Sequence, residues 1–230
     1  MKTIGLLGGM SWESTQGYYK AINEGVKAKL GGLHSAKIVL VSVDFAEIEH
    51  LQHQNDWESC AQILLSASLN VQSAGADCLL ICTNTMHKVA PTIEEKINIS
   101  LLHIADATGQ TLLNANIIKV GLLGTAFTME QDFYKGRLQD KFSLDVLTPN
   151  EEDRAEVHRI IYEELCKGQL LESSKERYLD IIKKLQAQGA QAVILGCTEI
   201  GLLVKQEDTE VTLFDTTAIH AETAVDFALS

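Results

Sequence analysis

The amino-acid sequence predicts an α/β protein made of two pseudo-symmetric, doubly wound parallel-sheet domains. Three observations carry that expectation. Apolar runs of strand length alternate with helical stretches of ten residues or more, and strands joined through such stretches run parallel with right-handed crossovers. The tetrapeptide GLLG occurs at 5 and again at 121, 116 positions apart. The segment from Gly75 to Thr83 (GADCLLICT) has the same design as that from Gly189 to Cys197 (GAQAVILGC), 114 positions later. Two matches at nearly one offset indicate a duplicated half, and the second sets Thr83 opposite Cys197.

Taken in order, Thr3 to Leu7 is an apolar strand and Gly8-Gly9-Met10 a tight turn. Ser11 is then the N-cap of a helix reaching about Leu30, stopped by Gly31-Gly32. Lys37 to Val43 is a second strand, followed by a polar loop holding Asp44, Glu47, His50, Gln52 and His53. A helix from about Asp56 to Ala74 ends at Gly75, Cys78 to Cys82 is the third strand and Thr83-Asn84-Thr85 its turn. Met86 to about Lys96 reads as a helix broken near Pro91, and Ser100 to His103 as a fourth strand.

The second half opens with a helical stretch near Ala105 to Asn114, then the strand Lys119 to Leu123 with Gly124-Thr125 as its turn. A helix from about Met129 to Leu138, a strand near Phe142 to Leu147, and helices over Glu151 to Cys166 and Ser173 to Gln188 lead to the strand Ala192 to Leu195. Val211 to Phe214 is the last strand and Thr216 to Leu229 the closing helix. The expected domains are 1–103 plus 211–230, and 104–210, with the closing helix returning to the first. The turns at Gly8 to Ser11, Thr83 to Thr85, Gly124-Thr125 and Cys197 to Glu199 all fall at carboxyl ends of strands. Open α/β sheets bind ligands there, and with the halves facing each other these turns line one cleft that holds the active site.

Composition narrows the class. The chain has 230 residues, 46% hydrophobic, enough for one large core or two smaller ones. The net charge of −12 comes with no basic cluster, which argues against nucleic acid or an anionic membrane as partner. The opening MKTIGLLGG has too short an apolar run for a signal peptide and no stretch approaches a membrane span, so a cytoplasmic protein is expected. Five cysteines without CxxC or a histidine pair at metal spacing suggest reduced thiols, with neither a disulfide framework nor a metal site.

Cys197 is the sharpest candidate for chemistry. A thiol starting a helix lies near unsatisfied N–H groups, which favours its thiolate, a good base or nucleophile. Cys60, Cys78 and Cys166 read as packing residues, and alternation along the strand turns Cys82 away from Thr83. Thr83 can donate a hydrogen bond or a proton, or simply cap a turn. Asn84, Thr85, Thr125 and Thr198 offer hydroxyls and amides that would hold carboxylates without an arginine, or cap helices. Glu199 is either an acid/base group or a solvated carboxylate at a helix start. The glycine-rich opening fits neither GxGxxG nor GxxxxGK[ST], so nucleotide binding is not expected. His87 and His220 read as ordinary surface histidines.

GLLGGMSWEST at 5 to 15, TNTMHK at 83 to 88 and LGCTEIGLL at 195 to 203 resemble the aspartate/glutamate racemases over the whole chain. The resemblance implies an amino-acid racemase that needs no cofactor and no pyridoxal phosphate, a homodimer, and a small amino-acid substrate in the cleft between two α/β domains. Each domain in that family normally supplies one cysteine; one takes the α-proton and the other reprotonates the opposite face. Here the first is replaced by Thr83, leaving Cys197 as the base toward the L-isomer and Thr83 as the acid. Glu199 and Met10-Ser11 stand where glutamate racemases carry a histidine and an Asp-Ser pair, which places the chain nearer the aspartate branch. Met10, Gln52, Asn84, Thr85, Thr125, Thr198 and Glu199 stand at or near the family's substrate-binding positions. Lys167 is a candidate partner for the substrate's side-chain carboxylate, or a cation at a helix end. A lone second-half cysteine is also similar to arylmalonate decarboxylases and maleate isomerases, and an amino-acid sensor without catalysis is a further alternative.

Overall fold

The computed structural model describes residues 1–230, which divide into two units: Met1–Ile104 with His220–Ser230, and Ala105–Ile219. The first unit runs β1 (Thr3–Gly8), α1 (Trp12–Leu30), β2 (Lys37–Ser42), α2 (Phe45–His53), α3 (Trp57–Ser73) and β3 (Cys78–Ile81). A 3-10 turn over Thr85–Val89, α4 (Ala90–Glu94) and β4 (Ser100–Leu101) follow. Its four strands are parallel in the order β2-β1-β3-β4. Pro91 stands in the first turn of α4, where its missing N–H costs nothing, so the expected helix is broken there. The polar loop expected after β2 is instead α2. Asp44 caps it by accepting the Ala46 N–H at 3.1 Å, and Phe45, Ile48 and Leu51 recur at helical spacing with Ile48 fully buried.

Alternation along the strands sends side chains to two separate cores. Leu7, Leu79 and Ile81 pack with Leu64, Ala67 and Val71 of α3 on one face. Ile4, Leu6, Cys78, Leu80 and Cys82 pack on the other with Tyr18, Ile22 and Val26 of α1 and with Ala221, Ala224 and Val225. A sheet covered by helices on both faces is the doubly wound arrangement.

The second unit runs α5 (Ile104–Asn114, its first residue in the first unit), β5 (Lys119–Gly124), α6 (Ala126–Glu130), α7 (Lys135–Phe142) and β6 (Asp145–Leu147). It continues with α8 (Glu151–Glu163), a 3-10 turn over Leu165–Lys167, α9 (Glu172–Ala187), β7 (Ala192–Gly196) and α10 (Ile200–Leu203). After a 3-10 turn at Gln206–Asp208 come β8 (Thr212–Asp215) and α11 (Thr216–Leu229), which from His220 onward belongs to the first unit. The sheet order is β6-β5-β7-β8, all parallel, the same order as in the first unit. One helix expected from about Met129 to Leu138 is two, α6 and α7. The domain boundary expected after residue 210 also moves. β8 pairs with β7, Leu213 beside Val193, so 211–219 stay with the second unit.

The repeat seen in the sequence is geometric as well. Gly75 and Gly189 follow α3 and α9 with φ of 90° and 96°, and each donates its N–H at 2.9 Å to the carbonyl three residues back. That left-handed backbone is what glycine supplies without a Cβ penalty. Two residues on, Asp77 Oδ2 accepts the Thr3 N–H at 2.6 Å, and Gln191 Oε1 accepts the Lys119 N–H at 2.9 Å. A carboxylate and an amide thus do the same job at equivalent strand starts. No helix is long and apolar enough to cross a membrane.

Candidate active site

In the second unit the ends of β5 and β7 carry Thr125 and Cys197. Gly124 pairs with Gly196, and a Cβ on Gly124 would meet the Gly196 carbonyl oxygen at 2.7 Å, so glycine there lets the two turns approach. Thr125 caps α6, its hydroxyl accepting the Thr128 N–H at 3.3 Å. Cys197, Thr198 and Glu199 are all buried, at 8%, 5% and 3% exposure. The Cys197 thiol donates to Glu199 Oε2 at 3.0 Å, and the Thr198 hydroxyl donates to the same oxygen at 2.8 Å.

This differs from the expected helix-start thiolate. α10 begins only at Ile200 and spans four residues; the Cys197 carbonyl accepts the Ile200 N–H at 3.1 Å while the side chain turns toward Glu199. Burial first, and then the charge of Glu199, push the thiol well above its usual range. At rest the group is therefore a thiol with a carboxylate positioned to take its proton. Glu199 is accordingly no solvated carboxylate.

In the first unit, β1 and β3 are neighbours, and the Cys82 N–H bonds the Leu7 carbonyl at 2.9 Å, which sets the Met10 turn beside the Thr83 turn. The Ser14 hydroxyl, on the first turn of α1, donates to the Cys82 carbonyl at 3.2 Å and ties the two together. Ser11 caps α1 by accepting the Ser14 N–H at 3.4 Å, and Thr15 Oγ1 accepts the Gly9 N–H at 2.8 Å. Thr83 is half-buried two residues after β3; its N–H bonds the Ile81 carbonyl at 2.9 Å and its carbonyl accepts from His87 Nδ1 at 2.8 Å. Asn84 and Thr85, next in the chain, are buried, as is Met10. Gln52, expected on a loop, projects from α2, is 2% exposed, and donates Nε2–H to Met86 Sδ at 2.9 Å. Lys167 ends the 3-10 turn after α8 with its side chain exposed.

Cys60, Cys78 and Cys82 lie in the cores of the first unit, while Cys166 sits in the 3-10 turn after α8, near enough to Cys197 to act on its charge. Burial pushes Cys78 up to about 11, and Cys60 and Cys82 also upward, so none of these three is a resting thiolate.

Two histidines expected at the surface are fully buried. His87 Nε2 accepts the Ile104 N–H at 3.2 Å, which with the Thr83 bond sets its tautomer as Nδ1–H. His220 donates Nε2–H to the Leu102 carbonyl at 2.6 Å and accepts from the Tyr18 hydroxyl at 2.8 Å on Nδ1; burial lowers it to about 4. The rings of His87 and His103 lie 4.5 Å apart and those of His87 and His220 5.9 Å. Their signal in the sequence was only spacing: His87 stands four residues after Thr83, one helical turn along.

The model of the Asp/Glu/Hydantoin racemase family matches residues 7–224. The chain is similar to a candidate Asp/Glu racemase from Yersinia pestis, with 57% identity, complete coverage of both chains (100% each) and a TM-score of 0.92. It is similar to an aspartate racemase homologue from Pyrococcus horikoshii at 36% identity, again covering 100% of both chains, with a TM-score of 0.86. Glutamate racemase from Francisella tularensis, solved with D-glutamate, shares the fold at 14% identity over 99% of this chain and 81% of its own, with a TM-score of 0.69. With the family model matching nearly the whole of a chain that repeats one four-stranded parallel sheet, this chain belongs to the Asp/Glu/Hydantoin racemase family.

Proposed function

We propose that the protein racemises L-aspartate, L-glutamate or both by moving the α-proton with its own side chains, without a cofactor. The observation that carries this is the Cys197–Glu199 hydrogen bond of 3.0 Å in a buried turn. A thiol held above its usual pKa is a poor base until its proton has somewhere to go, and Glu199 Oε2 is that place. As the thiol proton passes to the carboxylate, the thiolate takes the α-proton of the L-isomer and a planar carbanion forms. Thr83 then donates its hydroxyl proton to the opposite face while taking one from water, and Glu199 returns its proton to solvent. Two groups are needed because two faces of one carbon need two acid/base partners. Met10, Gln52, Asn84, Thr85, Thr125 and Thr198 hold the substrate through buried amides, hydroxyls and main-chain groups, and Lys167 meets its side-chain carboxylate.

A hydroxyl is a far weaker acid than a thiol, so this pair makes a slow racemase. It is not a one-way one. Enantiomers are equally stable, so kcat/KM is equal in the two directions, and any preference for the L-isomer resides in unequal kcat and KM. Chiral chromatography of L-aspartate and L-glutamate incubated with the enzyme tests the reading: D-isomer is expected with the wild type and none with Cys197→Ala.

A further inference from the structure

We infer that His87 is a positioning residue for Thr83, locking the turn that aims its hydroxyl; the inference rests on the racemase reading above. Both main-chain polar groups of Thr83 are committed, the N–H to the Ile81 carbonyl at 2.9 Å and the C=O to His87 Nδ1–H at 2.8 Å. With both ends of the residue held, the direction of its Cα–Cβ bond is set. The donor is itself held. His87 is 1% exposed, its Nε2 accepts the Ile104 N–H at 3.2 Å, and its ring lies 4.5 Å from that of His103.

The imidazole is thus a rigid strut from the first N–H of α5 to the turn after β3. Only a neutral histidine in the Nδ1–H tautomer serves both ends, since a protonated ring would set a donor against the Ile104 N–H. A buried N–H left without an acceptor is costly, which resists that change. Thr83, a weak acid, depends on placement more than a thiol would, and misplacement by about 1 Å costs on the order of 10²-fold in rate.

Two replacements separate the two ends. An asparagine amide can stand near the position of Nδ1 and keep the bond to the Thr83 carbonyl. A glutamine amide stands near Nε2, keeps the Ile104 bond and releases Thr83. The expected result is that His87→Asn stays within about 3-fold of wild type in kcat for L to D conversion, while His87→Gln falls by about 10-fold or more. In His87→Gln reprotonation becomes the slow step, so the solvent deuterium isotope effect rises and the effect of α-deuterated L-substrate falls. A merely structural role moves neither. Equal losses in both variants, or a slower His87→Gln with unchanged isotope effects, would overturn the inference while leaving the racemase reading intact. A wild type that forms no D-isomer would overturn the reading itself, and the inference with it. Nitrogen-15 NMR of the wild-type ring gives a check that needs no variant: Nδ1–H is expected, and an Nε2–H tautomer contradicts the strut.

Discussion

The Cys197 thiol and the Glu199 carboxylate meet at 3.0 Å, two residues apart in one buried turn. The carboxylate has opposite effects on the two stages of the reaction. Its charge disfavours the resting thiolate, and in the reaction proposed above it takes the thiol proton when substrate is present.

Glu199→Gln separates those effects. Without the charge, the thiol pKa falls, so alkylation of Cys197 by iodoacetamide at pH 8, followed by mass spectrometry, is faster than in the wild type. Without the proton acceptor, kcat drops by about 10²-fold. Reactivity and catalysis moving in opposite directions is the expected outcome; a parallel fall in both would remove Glu199 from the proton path.

Thr83→Cys replaces the weak acid by a thiol with an ordinary pKa of about 8.5. Reprotonation shares the rate with proton abstraction in the wild type, so D-isomer formation is expected to rise by about 2- to 3-fold, measured by chiral chromatography. An equal or lower rate in a variant with the wild-type circular dichroism spectrum would count against Thr83 as the second acid/base group.

Gly124→Ala places a methyl 2.7 Å from the Gly196 carbonyl oxygen, a main-chain atom that cannot swing aside. A loss of about 1 to 3 kcal/mol is expected in urea unfolding, together with reduced activity as the Thr125 and Cys197 turns are pushed apart. Gly17, whose added Cβ would meet nothing within 4 Å, is the control and should tolerate alanine.

His220 links stability to acidity. Its folded value of about 4 lies below the unfolded value of about 6.5, so between them the unfolded chain binds more protons. The neutral ring's contribution is complete above pH 6.5 and is lost as the pH falls toward 4. About 2 kcal/mol of it disappears between pH 7.5 and pH 5. Urea titrations at these two pH values should show a smaller drop for His220→Gln than for the wild type; equal drops would mean the ring does not titrate as its burial requires.

Much of this architecture was legible in the chain because strand and turn signals are local. The runs CLLIC and AVILG are apolar throughout, as parallel strands covered on both faces must be, and the glycines at 75 and 189 marked the same turn twice. The Cys197 to Glu199 turn could be located but its protonation could not, because the short α10 and the direction of the Glu199 side chain are tertiary facts. Gln52 was misread since the charged residues around it masked the helical spacing of Phe45, Ile48 and Leu51. His87 and His220 were misread for a related reason. A histidine is amphipathic, and only the partners at Thr83, Ile104, Leu102 and Tyr18, far apart in sequence for the most part, make its burial tolerable. The extent of β8's loyalty to the second sheet likewise depends on pairing with β7, which no local pattern reports.

The central claim is that Cys197 and Thr83 exchange the α-proton of an acidic amino acid. Proton NMR and chiral analysis of L-aspartate and L-glutamate incubated in deuterium oxide test it most directly, with Cys197→Ser alongside. The account predicts D-isomer carrying deuterium at the α-carbon, formed by the wild type and not by the variant. Unchanged L-substrate with its α-proton in place, from a folded wild-type enzyme, would contradict it.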